Sequence, residues 1–212
     1  MTIYESLREA LRAQRPVALA TVIDGPHLGA KLLVPAGAPP TGSLGNPDLD
    51  RVVARDALGE LEAGLSSTRH YGEHGEAREE AVSVFIESFA RPPRMIIFGA
   101  VDFTAALARI AKVLGYHVVV CDARAVFATV QRFPMADEVV NDWPDRYLAK
   151  VGAELGPRDA ICVLTHDHKF DVPAITAAVQ TAVGYLGAMG SRRTHDGRTA
   201  RLREAGLSEA QI

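Results

Sequence analysis

Residues 94–124, RMIIFGAVDFTAALARIAKVLGYHVVVCDAR, contain the pattern that decides the fold of this chain. The apolar run 95–98 and the valine-rich run 118–121 each predict a short strand buried on both faces. Gly99 provides the tight turn after the first strand, and Asp122 closes the second. Two parallel strands joined by a helix open a doubly wound α/β domain, whose ligands bind at the carboxyl ends of the strands.

The segment between these strands has the spacing of an amphipathic helix. Phe103, Leu107, Ile110 and Leu114 recur three or four residues apart, and Gly115 follows as a residue suited to a helix end. The sequence therefore predicts a strand, a helix and a strand in that order.

The glycine turn departs from the dinucleotide-binding fingerprint G-x-G-x-x-G/A. The three fingerprint positions hold Gly99, Val101 and Thr104, and Val101 places a branched side chain where a pyrophosphate would pass. Asp102 adds negative charge at the helix start, which opposes a bound phosphate. Asp122 nevertheless stands 23 residues after Gly99, where an acid that binds ribose would stand. The pattern favours this fold without ordinary NAD binding, and NAD(P) remains the alternative cofactor.

Composition excludes several functional classes. The chain has 212 residues, 48% of them hydrophobic, and its net charge of -3 gives no general attraction to nucleic acid. No apolar run reaches the ~20 residues that span a bilayer, and the amphipathic start 1–16 lacks the apolar core of a signal peptide. We therefore expect a cytoplasmic protein that binds neither nucleic acid nor membrane. Cys121 and Cys162 lie in apolar runs and are predicted to be reduced and buried.

Residues 90–93, ARPP, predict a linker between two domains, a smaller α+β domain at 1–89 and a Rossmann-like domain at 90–212. In the first domain, turn and cap signals predict an opening helix, strands at 17–23, 29–34 and 81–89, a helix at 46–62 and a loop at 66–79. After the first unit, the second domain is predicted to contain strands at 138–140, 160–165 and 185–189 and helices at 144–155, 173–182 and 191–206.

The segment 165–171, THDHKFD, follows a predicted buried strand and therefore lies at the ligand-facing edge of the sheet. His166, Asp167, His168 and Asp171 are residue types that bind metal, but they point the same way only if the segment stays extended, and no second cluster accompanies them. A polar pocket rim is the favoured interpretation, with a metal site as the alternative.

The segment 190–195, GSRRTH, follows the last predicted strand and opens a helix. Backbone amides at a helix start, together with Arg192 and Arg193, would bind an anion, and Ser191 is a suitable cap. A capped helix with solvated arginines explains the same residues equally well. Arg198, Arg201 and Arg203 are predicted to form a surface face. The turn 42–45 is a second, weaker candidate for an anion cradle.

The segments FGAVDFTAALARIAKVLGYHVVVCDAR, DWPDRYL, THDHKFDVPA and YLGAMGSRRTHDGRTARLREAG resemble the C-terminal Rossmann domain of the XdhC/CoxI family. The pattern RPVALATVI, GAKLLV, GSLG and VFIE is similar to the smaller N-terminal domain of that family, so the resemblance covers nearly the whole chain in order.

The resemblance implies a factor that matures molybdenum hydroxylases of the xanthine dehydrogenase type. Such a factor binds the molybdenum cofactor, protects it during sulfuration and delivers it to the apoenzyme. A homodimer and a cysteine desulfurase partner are expected with it. The residues expected to line the cleft are Gly99, Asp122, Arg124, His166, Asp167, His168, Gly190, Ser191, Arg192 and Arg193.

The expected roles differ along the cleft. Asp122 would accept hydrogen bonds from the ligand, Arg192 and Arg193 would hold its phosphate, and His166 and His168 would face the pterin or its metal end. An NAD(P)-dependent oxidoreductase using the same cleft, or a docking module that has lost its ligand, are the alternatives.

The chain departs from the family pattern in three ways. The usual Gly-x-Gly is replaced by Gly99-Ala100-Val101, and the cysteines found in many relatives near 43–47 and 74–76 are absent. A sulfur relay or a metal-binding thiol is therefore not expected. The chain also stops at Ile212, before a further strand and helix that relatives carry, so we expect a shortened or divergent member.

Overall fold

The computed structural model describes residues 2–77 and 79–212. The chain divides into two compact units, residues 1–91 and residues 92–212. The division falls between Arg91 and Pro92, inside the segment that the sequence predicts as a linker. None of the helices in the described part of the chain is long and apolar enough to cross a membrane.

The first unit is an antiparallel sheet in the order β3-β2-β1-β5-β4. Side chains alternate along β1, so that Val17 packs with α1 on one face, while Ala18 and Ala20 pack with α2 on the other. The bounds of its elements are α1 Ile3–Arg12, β1 Val17–Asp24, β2 Lys31–Pro35, β3 Thr41–Ser43, α2 Pro47–Ala63, β4 Ser67–Tyr71 and β5 Val82–Phe89.

Two strands of this unit, β3 and β4, are absent from the sequence prediction, which placed residues 42–45 in a turn and residues 66–79 in a loop. Both lie at the edges of the sheet and carry mostly exposed polar side chains, so neither shows the apolar alternation of a buried strand. Backbone pairing to β2 and β5 holds them in place. The predicted loop at 66–79 is therefore wrong over Ser67–Tyr71, and Arg78 lies outside the described residues.

The second unit is a parallel sheet in the order β10-β9-β6-β7-β8, which confirms the predicted doubly wound α/β class. The strand order reverses between β6 and β9, and this point is where such sheets bind ligands. The bounds are β6 Arg94–Phe98, α3 Asp102–Val113, β7 His117–Cys121, β8 Glu138–Val140, α4 Pro144–Val151, β9 Ala160–Val163, α5 His168–Ala178, β10 Tyr185–Ala188 and α6 Arg192–Glu204, with a short 3₁₀ helix at Gly152–Glu154.

Helices cover the two faces of this sheet unequally. Strand residues such as Phe98 and Val119 pack with α4, α5 and α6, while their neighbours Ile97 and Val120 pack with α3. The continuous apolar runs in the sequence reflect this burial on both sides. Helix α3 approaches the sheet with its small residues, so that Phe103 and Leu114 of the apolar stripe are 63% and 64% exposed.

Helix α5 begins five residues before the position that the sequence predicts. The Asp167 carboxylate accepts a hydrogen bond from Lys169 N and caps a helix that starts at His168. Pro173, taken in the prediction as the first helical residue, instead lies inside the helix. Pro173 has no N–H to donate to the carbonyl of Lys169, so the helix lacks one internal hydrogen bond there.

Candidate functional site

The residues predicted to form the site follow four neighbouring strands of the second unit, and all lie at the carboxyl edge of its sheet. Gly99 follows β6, Asp122 follows β7, His166 follows β9 and Ser191 follows β10. Trp143 follows β8 on the same edge, where the sequence predicted only a helix start. The topology thus brings the predicted residues to one edge, and local contacts decide what each can do.

The Gly99 turn is shaped by its neighbour strand. Gly99 has a φ of +114°, and a Cβ at this position would lie 2.9 Å from Thr165 Cγ2 and 3.0 Å from Thr165 N, at the end of β9. Only glycine suits both the backbone conformation and this close approach. The glycine that the sequence marks as a fold signal is therefore required by the packing of β6 against β9.

Asp122 is buried, and both of its carboxylate oxygens are occupied by the chain itself. It accepts hydrogen bonds from Ala100 N at 2.8 Å, from Arg124 N and Nε at 2.9 Å, and from Arg124 Nη2 at 2.7 Å. Burial alone would raise the pKa of Asp122, but these charged and backbone donors outweigh it, so the pKa is lowered. The carboxylate closes the Gly99 turn, and a ligand hydroxyl would have to compete with Arg124 for it.

Arg124 connects this turn to a group of aromatic side chains. Its guanidinium carbon lies 4.7 Å from the ring centroid of Phe127 and 5.5 Å from that of Phe170. The ring of Trp143 lies against Phe170 with a centroid distance of 5.0 Å. The sequence prediction included Arg124 but none of its aromatic neighbours, because these residues come from separate segments.

The histidine loop after β9 has a structural role in the chain. Asp167 caps α5 and pairs with Lys169 Nζ at 3.1 Å, and the hydrogen bond from the Lys169 backbone N–H, foremost among the causes, lowers the pKa of Asp167. His166 and His168 are exposed. Over residues 2–77 and 79–212, no group of three or more His, Cys, Asp or Glu side chains is arranged to hold a metal ion.

Asp171 and Arg198 form a buried ion pair that the sequence prediction missed. Arg198 donates from Nε and Nη2 to Asp171 Oδ2 at 3.2 and 3.0 Å, and from Nη2 to Met189 O at 2.7 Å. Thr165 Oγ1 donates to the other carboxylate oxygen. Burial raises the pKa of the Asp171 carboxyl, and Arg198 offsets this effect only in part.

The predicted surface position of Arg198 is therefore wrong. Arg198 lies four residues before the buried Leu202, which places both on the inner face of α6, and this spacing was the available signal. Because its guanidinium bonds the end of β10 and a carboxylate of α5, the pair fixes the start of α6 relative to the sheet edge.

The Ser191 turn differs from the Gly99 turn in having unused cations. Ser191 Oγ accepts a hydrogen bond from Thr194 N at 3.2 Å and caps α6, so the predicted cap is present. Arg192 and Arg193, the first two residues of the helix, are exposed and have no hydrogen-bond or ion-pair partner among the described residues. Two free guanidinium groups beside a helix start are the donor set that binds phosphate.

The second candidate anion cradle, at the start of α2 in the first unit, is already occupied. Leu44 N donates to Asp50 Oδ1 at 2.6 Å, and Gly45 N donates to Ser43 Oγ at 3.0 Å. A carboxylate of the chain therefore stands where an anion would bind.

A parallel sheet with this strand order and a glycine turn at its reversal point is a Rossmann-type unit, and a small α+β unit precedes it in the chain. Residues 95–212 match the XdhC Rossmann domain, and residues 10–72 match the XdhC and CoxI family. The chain therefore belongs to the XdhC and CoxI family, which confirms the resemblance seen in the sequence.

Curated relatives include a probable xanthine dehydrogenase subunit from Bacillus subtilis, 32% identical over 58% of this chain. The molybdenum cofactor insertion chaperone PaoD from Escherichia coli is 36% identical over 32% of this chain. The chain spans only 36% and 21% of the lengths of these two relatives. A crystal structure of a xanthine dehydrogenase from Bacillus halodurans shares the fold, with a TM-score of 0.52 and 19% identity over 98% of this chain and 86% of that one.

Proposed function

We propose that this protein is a maturation factor that binds the molybdenum cofactor and delivers it to a molybdenum hydroxylase of the xanthine dehydrogenase type. Family membership and the name of PaoD, a molybdenum cofactor insertion chaperone, support this role. The observation that carries the proposal within the chain is the pair of unpartnered arginines, Arg192 and Arg193, at the start of α6.

The residues present fit a phosphate-bearing pterin better than a dinucleotide bound in the ordinary way. Arg192 and Arg193 would hold the phosphate, and Ser191 would keep the helix start capped. The cofactor itself supplies the molybdenum and sulfur chemistry that the client enzyme uses. The side chains of this protein would bind it, orient it and shield it from water.

The Gly99 turn argues against the NAD(P)-dependent alternative. Its Ala100 N–H, which would face a pyrophosphate, already donates to Asp122, and Val101 and Asp102 add a branched and an acidic side chain at the same place. The exposed Asp102 carboxylate lies 3.7 Å from the Arg132 guanidinium, and its negative charge would repel a phosphate at this helix start. We therefore place the phosphate at the Ser191 turn.

Partners follow from the proposed role. We propose an apo-molybdenum hydroxylase as the recipient, a cysteine desulfurase as the supplier of sulfur, a homodimer as the working form and the cytoplasm as the place of action. These proposals rest on family membership and on the names of the relatives.

The test is to isolate the protein from cells that make the cofactor and to measure its molybdenum and pterin content. We expect near-stoichiometric pterin in the wild type, and little in the Arg192→Ala/Arg193→Ala variant. The Arg109→Ala/Arg201→Ala variant removes the same charge from two other exposed arginines and should stay loaded. A wild type that carries no pterin or molybdenum would contradict the proposal.

A further inference from the structure

Trp143 presents an aromatic face at the ligand edge of the sheet. It is the only tryptophan in the chain, it lies three residues after the end of β8, and it is 38% exposed. Its ring rests on Phe170 with a centroid distance of 5.0 Å and an interplanar angle of 41°. Phe170 is only 4% exposed and belongs to the first turn of α5, so the exposed indole has a rigid backing.

Arg124 flanks the same phenylalanine ring. Its guanidinium carbon lies 5.5 Å from the Phe170 centroid, and its Nε and Nη2 are held by the buried Asp122 carboxylate. The Arg124 side chain is nevertheless 40% exposed. A planar cation and an indole, both fixed in advance, thus border one buried ring at the carboxyl ends of β7 and β8.

This arrangement suits a flat, conjugated ligand. Planar heterocycles stack on exposed tryptophan faces and on guanidinium planes, and stacking is strong where the side chains are already ordered. The anchoring of Arg124 by Asp122 and of Trp143 by Phe170 removes the ordering cost that a mobile side chain would add.

We infer that Trp143, backed by Phe170 and flanked by Arg124, stacks a planar heterocycle of the bound cofactor. The inference rests on the proposed function and adds a second contact region to it. The Trp143 ring contacts Phe170 in the helix that follows β9, so this contact region and the Ser191 turn share one edge of the sheet.

Two parts of the ligand have this chemistry, the pterin and, in forms that carry a nucleotide, the base. Both forms of the purified cofactor are therefore titrated separately. A variant that weakens both forms identifies the pterin as the stacked ring. A variant that weakens only the nucleotide form identifies the base. Either pattern supports stacking on Trp143.

The fluorescence of Trp143, to which no other tryptophan contributes, follows the titrations of the wild type, and isothermal titration measures the affinities of all variants, since Trp143→Ala and Trp143→Phe contain no tryptophan. We expect quenching that saturates with binding, and a Trp143→Ala variant that binds roughly ten- to a hundredfold more weakly. Trp143→Phe, which keeps a ring, should recover most of the affinity. Tyr185→Ala, at a more exposed aromatic residue of β10, serves as the control and should bind as the wild type does.

Two results would overturn the inference. One is unchanged Trp143 fluorescence at saturation together with unchanged affinity of Trp143→Ala for both forms, while molybdenum analysis shows cofactor bound; the proposed function would then stand without this contact. The other is the absence of any cofactor binding by the wild type, which removes the proposed function as well. Thermal unfolding of each variant separates loss of a contact from loss of the fold.

Discussion

Two glycine-led helix starts lie on one edge of the same sheet, and they use their polar groups in opposite ways. At the Gly99 turn, Ala100 N–H donates to the buried Asp122, so an acid of the chain occupies the place of an anion. At the Ser191 turn, Arg192 and Arg193 have no partner among the described residues. A glycine turn before a helix is therefore not sufficient to mark a phosphate site. It also matters whether the polar groups at the turn are already bonded within the chain, as at the Gly99 turn (the closed turn), or are unbonded, as at the Ser191 turn (the open turn).

The largest expected effect concerns the ion pair that supports the open turn. Asp171→Asn leaves the buried Arg198 guanidinium without its counter-charge, and such a change costs about 3–5 kcal/mol of unfolding free energy. Urea denaturation measures this loss. Arg201→Met, on the exposed face of the same helix, should change stability by less than about 0.5 kcal/mol. An equal effect of the two substitutions would mean that the pair does not hold α6.

The next effect tests the closed turn. Gly99→Ala should destabilise the protein by about 2–3 kcal/mol, because the residue has φ +114° and the added Cβ would meet Thr165. Gly190→Ala is the matched change at the open turn. Gly190 lacks a positive φ, and its Cβ would lie 3.1 Å from Thr194 Cγ2 and 3.2 Å from Arg198 Nη2, so we expect a smaller loss of about 1 kcal/mol. Similar thermal shifts for both variants would remove the contrast between the turns.

A smaller effect depends on pH. Asp122→Asn should lose about 2 kcal/mol at pH 7, because it weakens bonds to Arg124 and Ala100. The folded pKa of Asp122 is lowered, so its stabilisation is present above the unfolded pKa near 4 and is lost as pH falls through the lower folded value. The gap between variant and wild type should therefore narrow below about pH 4. A gap that stays constant from pH 7 to pH 3 would contradict this assignment.

The smallest effect on stability belongs to the two free arginines. Arg192→Ala/Arg193→Ala removes no bond within the described residues, so the unfolding free energy should change by less than about 0.5 kcal/mol. Urea denaturation at two salt concentrations measures it. A loss above about 1 kcal/mol would show that these side chains support the fold, and the two arginines would then not be free to bind an anion.

The strands of the second unit could be predicted because burial on both faces leaves continuous apolar runs such as 118–121. The edge strands β3 and β4 could not, since backbone pairing rather than side-chain burial holds them. The start of α5 was missed because proline is over-represented at the first position of helices, so Pro173 was predicted there, whereas Asp167 caps the helix and Pro173 lies inside it.

The position of the candidate site was predictable, but the state of its groups was not. Residues that follow parallel strands share the carboxyl edge of the sheet, and the order of predicted elements shows where each strand ends. Whether Asp122 meets a ligand or Arg124, and whether Arg198 faces water or Asp171, depends on contacts that the folded chain alone creates. The contacts among Trp143, Phe170 and Arg124 likewise arise only in the folded chain, because the three residues come from separate segments.

The most direct test of the contrast between the turns is isothermal titration of purified molybdenum cofactor into the wild type, Arg192→Ala/Arg193→Ala and Arg109→Ala/Arg201→Ala. Loss of two charge-assisted contacts should cost about 3 kcal/mol, so we expect roughly hundredfold weaker binding in the first variant and unchanged binding in the second. Equal affinities of wild type and Arg192→Ala/Arg193→Ala would contradict the assignment of the phosphate to the open Ser191 turn.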